Sequence, residues 1–204
     1  MPQSRKILDY PVTVKHRLEA AIKGFDSGDN STELFEELIN LVNKGSVEAN
    51  YYVGCMYEDG SNGVQQNPEH AFFYYKKVVD DLGYLEGYLA LARLYYHGMG
   101  VQQDYAEAFK YYSHVSQKKG HPVACFMLGR MYQHGSGVAK DLSMARSWYL
   151  RAIAQGSIYG TINLAMLEAE EKHFLKSIWL RIKAGFSAFL IYLKDRHDPR
   201  LRGG

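Results

Sequence analysis

The chain has 204 residues, a hydrophobic content of 47% and a formal net charge of +2. This hydrophobic content favours a folded protein over a disordered one, and the near-zero net charge gives no indication of nucleic-acid binding. Two cysteines, an N-terminus without an apolar run, and the lack of any apolar stretch of about 18 residues predict a cytoplasmic protein without a spanning helix.

Residues 1–44 precede the pattern that dominates the rest of the chain. We predict that they form N-terminal capping helices. Residues 31–44 are interpreted as the second helix of a degenerate leading repeat, with Ser31 or Thr32 as its N-cap.

A 37-residue step then organises the sequence, since it separates Val64 from Val101 and Val101 from Val138. Turn glycines, a small residue and an aromatic pair recur at the same step. They are Gly98-Met99-Gly100 and Gly135-Ser136-Gly137; Ala71, Ala108 and Ala145; and Tyr74-Tyr75, Tyr111-Tyr112 and Trp148-Tyr149. Such a period indicates stacked supersecondary units that share a continuous core. The predicted repeats are 45–84, 85–121 and 122–157.

The middle repeat shows how each unit is predicted to fold. Apolar residues at helical spacing predict a first helix from about Leu85 to His97, which Gly98 ends. Asp104 is predicted to cap the second helix, with Glu107 completing a capping box. Small residues recur in both helices of the repeats, and we expect them to face each other and to let the helices approach closely. They are Gly54, Ala92, Gly129 and Ala165 in the first helices, and Ala71, Ala108 and Ala145 in the second.

This order of small residue, tyrosine, Gly-x-Gly-Val, aspartate, alanine, aromatic pair and closing glycine resembles the Sel-one-like (Sel1-like) repeat, a relative of the tetratricopeptide repeat. Residues 158–185 look like a degenerate fourth copy that closes at Gly185, with Glu168 where the tyrosine is expected. The resemblance implies an all-α fold, a right-handed α/α superhelical solenoid with the first helices on its concave side. It also implies a non-catalytic, bacterial-type scaffold or adaptor that binds a partner protein or peptide.

The concave face supplies the candidate partner-binding residues. Arg93 and Arg130 occupy the same position of successive first helices and could bind carboxylates of a partner. Tyr52 and Tyr96 would flank them and supply contact area, and Gln133 lies on the same predicted face. The alternative is that each arginine is only a solvated side chain lying along its helix.

Catalytic and metal sites are not predicted. Ser116-Gln117-Lys118-Lys119 fits the Ser-x-x-Lys motif of serine acylases, and some cysteine-rich relatives are linked to β-lactamase activity. No Ser-Asp-Asn or Lys-Thr-Gly motif accompanies it, so a β-lactamase-like hydrolase is only a remote alternative. His97 and His134 are equivalent positions about 10 Å apart, too far to share a metal ion. No metal and no cofactor are therefore expected.

The last segment, 186–204, is predicted to be an apolar helix followed by a basic tail. Phe186, Phe189, Leu190 and Leu193 are its candidate docking residues. Three interpretations stay open: a cap on the end of the stack, a contact with a partner or with a second copy in a homodimer, and a peripheral contact with an anionic membrane such as the inner membrane.

Overall fold

The computed structural model describes residues 11–170 and 174–194. Within these ranges some side chains are not described, namely those of Leu82, Lys118, Lys119, Glu170, 174–177 and 190–194. The described residues form ten α-helices and no strand. The helices are α1 Val12–Asp26, α2 Thr32–Asn43, α3 Val47–Asp59, α4 Pro68–Leu82, α5 Leu85–His97, α6 Tyr105–Lys119, α7 Pro122–His134, α8 Leu142–Ala154, α9 Ile158–Glu170 and α10 Phe174–Lys194.

The chain divides into two compact units, one ending at Gln103 and the other beginning at Asp104. The first unit contains α1–α5, and successive helices in it pack against each other. Its core joins α1, α2 and α3 and includes the fully buried Leu38, Leu41 and Val53. The second unit contains α6–α10 and is built in the same way, with α7 packed on α8 and α9 on α10.

The helices begin where the sequence predicts. Asp104 accepts hydrogen bonds from the amides of Ala106 and Glu107, and Asp141 caps α8 in the same way. The Glu107 side chain pairs with Lys110 on the next turn. At the start of α2 the cap is Ser31, which accepts from the amide of Leu34.

The second glycine of each turn permits a close contact with the preceding repeat. Gly100 has φ +65°, and a Cβ there would lie 2.2 Å from the carbonyl of Pro68. Gly137 has φ +71°, and a Cβ there would lie 2.2 Å from the carbonyl oxygen of Tyr105. Each turn thus rests on the first residues of the preceding second helix, where no other residue fits.

Two of the small residues of the first helices, Gly54 and Gly129, lie against tyrosine rings of the second helices. A Cβ on Gly54 would lie 2.7 Å from the ring of Tyr75, and a Cβ on Gly129 would lie 2.6 Å from the ring of Tyr149. A tyrosine ring is thus the nearest neighbour of each of these glycines, and the pairing of small with small residues stays a prediction. Glycine is kept inside the helices because a buried aromatic ring occupies the space.

Successive repeats contact each other through one recurring pair of positions. Three of these contacts join a phenylalanine of a second helix to a tyrosine of the next first helix. They are Phe35–Tyr57, Phe72–Tyr95 and Phe109–Tyr132, with ring centroids 5.7, 5.4 and 5.6 Å apart. Between α8 and α9 the pair is Arg146 and Glu168, and Arg146 Nε donates to Glu168 Oε1 at 3.0 Å. At this contact the phenylalanine and the tyrosine of the other repeats are thus both replaced, by Arg146 and Glu168.

Helix α10 differs from the prediction for the end of the chain. The sequence places a closing glycine at Gly185 and a separate helix after it. In the structure, α10 continues through Gly185 as far as Lys194. The end of the fourth copy and the apolar segment therefore form one helix within the described residues.

Candidate protein-interaction site on the first helices

Two positions of the first helix of each regular repeat are candidates for binding: the residue directly after the small residue, and the residue one turn further along the helix. In the first unit these positions are linked by a polar network. Arg93 Nη2 on α5 donates to Glu58 Oε2 on α3 at 2.6 Å, and the Tyr75 hydroxyl donates to the same oxygen at 2.7 Å. The Glu58 side chain is largely buried, whereas that of Arg93 is half exposed. The charge of Arg93 is thus already balanced within its own unit.

Cys55 belongs to the same network, since its sulfur lies 3.5 Å from the Tyr75 hydroxyl. Burial raises the pKa of the Cys55 thiol to about 11, although hydrogen bonding with Tyr75 and Tyr51 acts in the opposite direction. Burial also raises the pKa of Tyr51 and of Tyr75. These groups are therefore uncharged at neutral pH, and a protonated thiol is a poor nucleophile.

The second unit presents a different surface at the corresponding positions. Arg130 on α7 lies over the ring of Phe126, 5.9 Å from its centroid, and among the described residues it forms no salt bridge. On α9 the positions equivalent to Phe126 and Arg130 carry Ile162 and Met166, which are 39% and 47% exposed. Val123 on α7 is also exposed.

These side chains lie on two helices that contact each other. The two helices pack directly against each other, and the rings of Phe126 and Tyr159 lie 5.9 Å apart. We call Val123, Phe126, Arg130, Ile162 and Met166 the α7–α9 patch. It combines exposed apolar surface with one guanidinium, the composition typical of protein-binding surfaces.

The five residues predicted for the concave face differ in their surroundings. Tyr52 is buried against Phe25 and Tyr51. Gln133 is also buried, and its side-chain oxygen accepts a hydrogen bond from the Tyr149 hydroxyl at 2.6 Å. Tyr96 is half-buried, and its carbonyl accepts from Gln103. Arg93 is paired with Glu58, so Arg130 is the predicted residue best placed for a partner.

Sequence reasoning did not select Val123, Ile162 and Met166. The signal was present, because Met166 follows the small residue Ala165 as Arg130 follows Gly129. A comparison of this position across all the repeats would have shown a methionine in the fourth copy, where the second and third repeats have arginines.

The serine of the Ser-x-x-Lys motif lines a small cavity of about 280 Å³ in the second unit, together with Cys125 and Arg151. Ser116 is nearly buried, and its hydroxyl donates to the carbonyl of Ser113 at 2.9 Å. A backbone carbonyl cannot act as a general base, so this contact does not activate the serine. The Lys119 side chain lies outside the described residues.

The described part of the chain also bears on two other kinds of site. No group of three or more His, Cys, Asp or Glu side chains there could hold a metal ion. None of the described helices combines the length and the apolar character needed to cross a membrane.

The predicted C-terminal docking residues are only partly described. Phe186 and Phe189 are exposed on α10. The side chains of Leu190 and Leu193 lie outside the described residues.

Comparison with known protein families agrees with the geometry of the repeats. The family model described as "Sel1 repeat" matches residues 47–78, 85–113 and 122–157. These stretches cover the helix pairs from α3 to α8. The chain is a Sel1 repeat protein. No curated protein sequence matches it closely enough to count as a relative.

Solved structures resemble this Sel1 repeat protein over most of its length. A protective antigen of uropathogenic Escherichia coli with an SLR fold is 25% identical, with a TM-score of 0.74; the match covers 89% of our chain and 42% of the antigen. A Sel1 repeat protein from Oxalobacter formigenes is 20% identical, with a TM-score of 0.72 and coverage of 84% and 68%. MamA is 17% identical, with a TM-score of 0.60 and coverage of 82% and 93%.

These comparisons confirm the predicted family and the all-α solenoid fold class. Sel1 repeat proteins are generally protein-interaction scaffolds, and their fold is typically non-catalytic. The chain spans less than half the length of the uropathogenic antigen, whose role as an antigen is a property of that protein.

Proposed function

We propose that this Sel1 repeat protein is a non-catalytic scaffold that binds a peptide segment of a partner protein through its first helices. The observation that supports the proposal best is the α7–α9 patch. In the patch, Ile162 and Met166 are exposed on α9, and the contacting helix α7 carries a guanidinium that no carboxylate of the described residues neutralises. Exposed apolar side chains next to such a cation are a common basis of recognition.

The composition of the patch defines the kind of peptide that would bind. Apolar side chains of the peptide would cover Val123, Ile162 and Met166, and an aspartate or glutamate would pair with Arg130. A guanidinium that lies over an aromatic ring is held in place, so less side-chain entropy is lost when it binds a carboxylate. In the first unit the corresponding arginine is less available to a carboxylate of the peptide, because Arg93 is already bound to Glu58.

The test uses a phage-displayed library of random peptides selected on the full-length protein. We expect the selected peptides to combine apolar residues with an acidic one. The variants Arg130→Glu and Met166→Asp should each weaken binding by at least about tenfold, because the first opposes the carboxylate and the second places a charge in the apolar contact.

The control is Lys140→Glu, which makes the same change of charge at an exposed lysine outside the patch. This variant should bind the selected peptides as the wild type does. If Arg130→Glu and Met166→Asp also bind them unchanged while remaining folded, the patch is not the binding site.

A further inference from the structure

Helix α10 carries a row of large apolar side chains that no described residue covers. Trp179, Ile182, Phe186 and Phe189 are 60%, 67%, 63% and 55% exposed. Their spacing of three, four and three residues places one of them on each turn along a single side of the helix. We call this row the α10 seam.

The α10 seam lies on the side of the helix that faces away from α9. Helix α10 packs against α9, and its described buried residues are Leu180 and Ala184. At about 100° per residue, the seam lies opposite these two positions. The exposed sides of other second helices are more polar, since α4 carries the Lys76–Asp80 pair and α6 the Lys110–Glu107 pair.

The charges beside the seam have a single sign. Arg181 lies on one side of the seam and Lys183 on the other, and the Lys183 ammonium lies 5.3 Å from the centroid of the Trp179 ring. The sequence of α10 contains four basic residues and no acidic one. Two copies of α10 docked on each other would therefore oppose like charges, which disfavours a second copy as the occupant.

Gly185 lies at the edge of the seam, where no described residue requires a glycine. It is helical and exposed, and a Cβ added there would meet no atom within 4 Å. A glycine inside a helix costs about 1 kcal/mol relative to alanine. A helix of another molecule that approaches the seam closely would explain this cost, whereas a membrane surface has no need of it.

Residues 195–204 are poor in apolar side chains that could cover the seam, since they contain one large apolar residue, Leu201, together with a proline and two glycines. We propose that the α10 seam binds one amphipathic helix of a partner protein, and that aspartate and glutamate flank the apolar side of that helix.

The test uses two synthetic helical peptides, each a few heptads long, with leucine at the a and d positions. One carries glutamate at every e and g position, which also prevents it from pairing with itself at neutral pH, and the other carries lysine there. Full-length protein with Trp148→Phe retains Trp179 as its only tryptophan. We expect the glutamate peptide to shift the Trp179 emission to shorter wavelength and the lysine peptide to leave it unchanged.

Variants of the seam separate apolar from electrostatic recognition. Phe186→Asp and Gly185→Leu should each weaken binding of the glutamate peptide at least about tenfold, while Phe73→Asp, at an exposed phenylalanine of α4, should not. Arg181→Glu combined with Lys183→Glu should reverse the preference and select the lysine peptide. Circular dichroism checks that each variant is folded.

Several results would overturn this proposal. They are the absence of any binding, equal binding of both peptides, and an unchanged preference in the Arg181→Glu, Lys183→Glu protein. Phosphatidylglycerol vesicles that shift the Trp179 emission when the glutamate peptide does not would assign the seam to a membrane. A dimer in sedimentation that Phe186→Asp dissociates would assign it to a second copy.

Discussion

A tyrosine hydroxyl of the second helix reaches the same position of the first helix in both units. Tyr75 donates to Glu58 and Tyr149 donates to Gln133, at 2.7 and 2.6 Å. Both acceptors lie four residues after the glycine that makes room for the ring. Hydrogen bonding and ring packing thus act together, and the position serves the fold of each repeat before it can serve a partner.

The first prediction concerns Cys55, the thiol of this network. Because burial raises its pKa to about 11, little thiolate is present at neutral pH. In a Cys125→Ala protein, alkylation by iodoacetamide at pH 8 should be roughly a hundredfold slower than that of free cysteine. The rate should rise with pH up to about 11. A rate that levels off near pH 9 would show that the thiol is not desolvated in this way.

Single residues were also the least predictable part of the candidate site. Helical spacing places Gln133 on the same side as Arg130, but spacing cannot tell that the Tyr149 hydroxyl reaches it. Similarly, spacing predicts where Arg93 lies on its helix, but it does not predict that Arg93 pairs with Glu58. Both facts depend on side chains of other helices, so they become visible only when those helices are packed.

At the scale of helices, the contact between α8 and α9 departs from its counterparts. An ion pair of Arg146 with the fully buried Glu168 replaces the phenylalanine–tyrosine contact of the other repeats. A buried carboxylate is costly unless it is paired, and apolar side chains of similar size can replace a buried ion pair without loss of stability. A phenylalanine–tyrosine pair should therefore replace Arg146 and Glu168 without loss of stability only when both residues are changed.

This gives a double-mutant prediction. Arg146→Phe alone should lower the free energy of unfolding by about 3–5 kcal/mol, because the buried carboxylate of Glu168 loses the guanidinium of Arg146. Arg146→Phe combined with Glu168→Tyr should recover most of that loss, as measured by urea unfolding.

The control is Lys76→Ala, which removes an exposed ion pair and should cost less than about 1 kcal/mol. A double variant no more stable than Arg146→Phe alone would show that the two positions are not coupled as the structure indicates.

Element boundaries followed from the sequence where capping and turn residues are present. Asp104 and Gly98 define the ends of α6 and α5 because a carboxylate cap and a left-handed glycine have direct physical effects on a helix end. The predicted helix end at Gly185 was wrong for the opposite reason. A glycine is compatible with a helix interior, and only the continued helix hydrogen bonding of α10 distinguishes the two cases.

At the scale of the whole molecule, the 37-residue period was sufficient to predict a stack of helical repeats, and the order of residues within the repeat carries the resemblance to the Sel1 repeat. The period depends on residues that build the repeat, such as the turn glycines and the second tyrosine of each pair. Function depends on the positions in between, which differ from unit to unit. Corresponding positions carry Arg93 bound to Glu58 in the first unit, and Arg130 and the exposed Met166 in the second.

The central claim is that the α7–α9 patch binds a partner peptide, and methyl NMR of the methionines tests it most directly. The chain has seven methionines, and a Met166→Leu variant assigns the signal of the exposed Met166. Adding a peptide selected on the wild-type protein should shift the Met166 methyl signal and leave that of the buried Met56 in the first unit unchanged. A bound peptide that leaves the Met166 signal unperturbed would contradict the account.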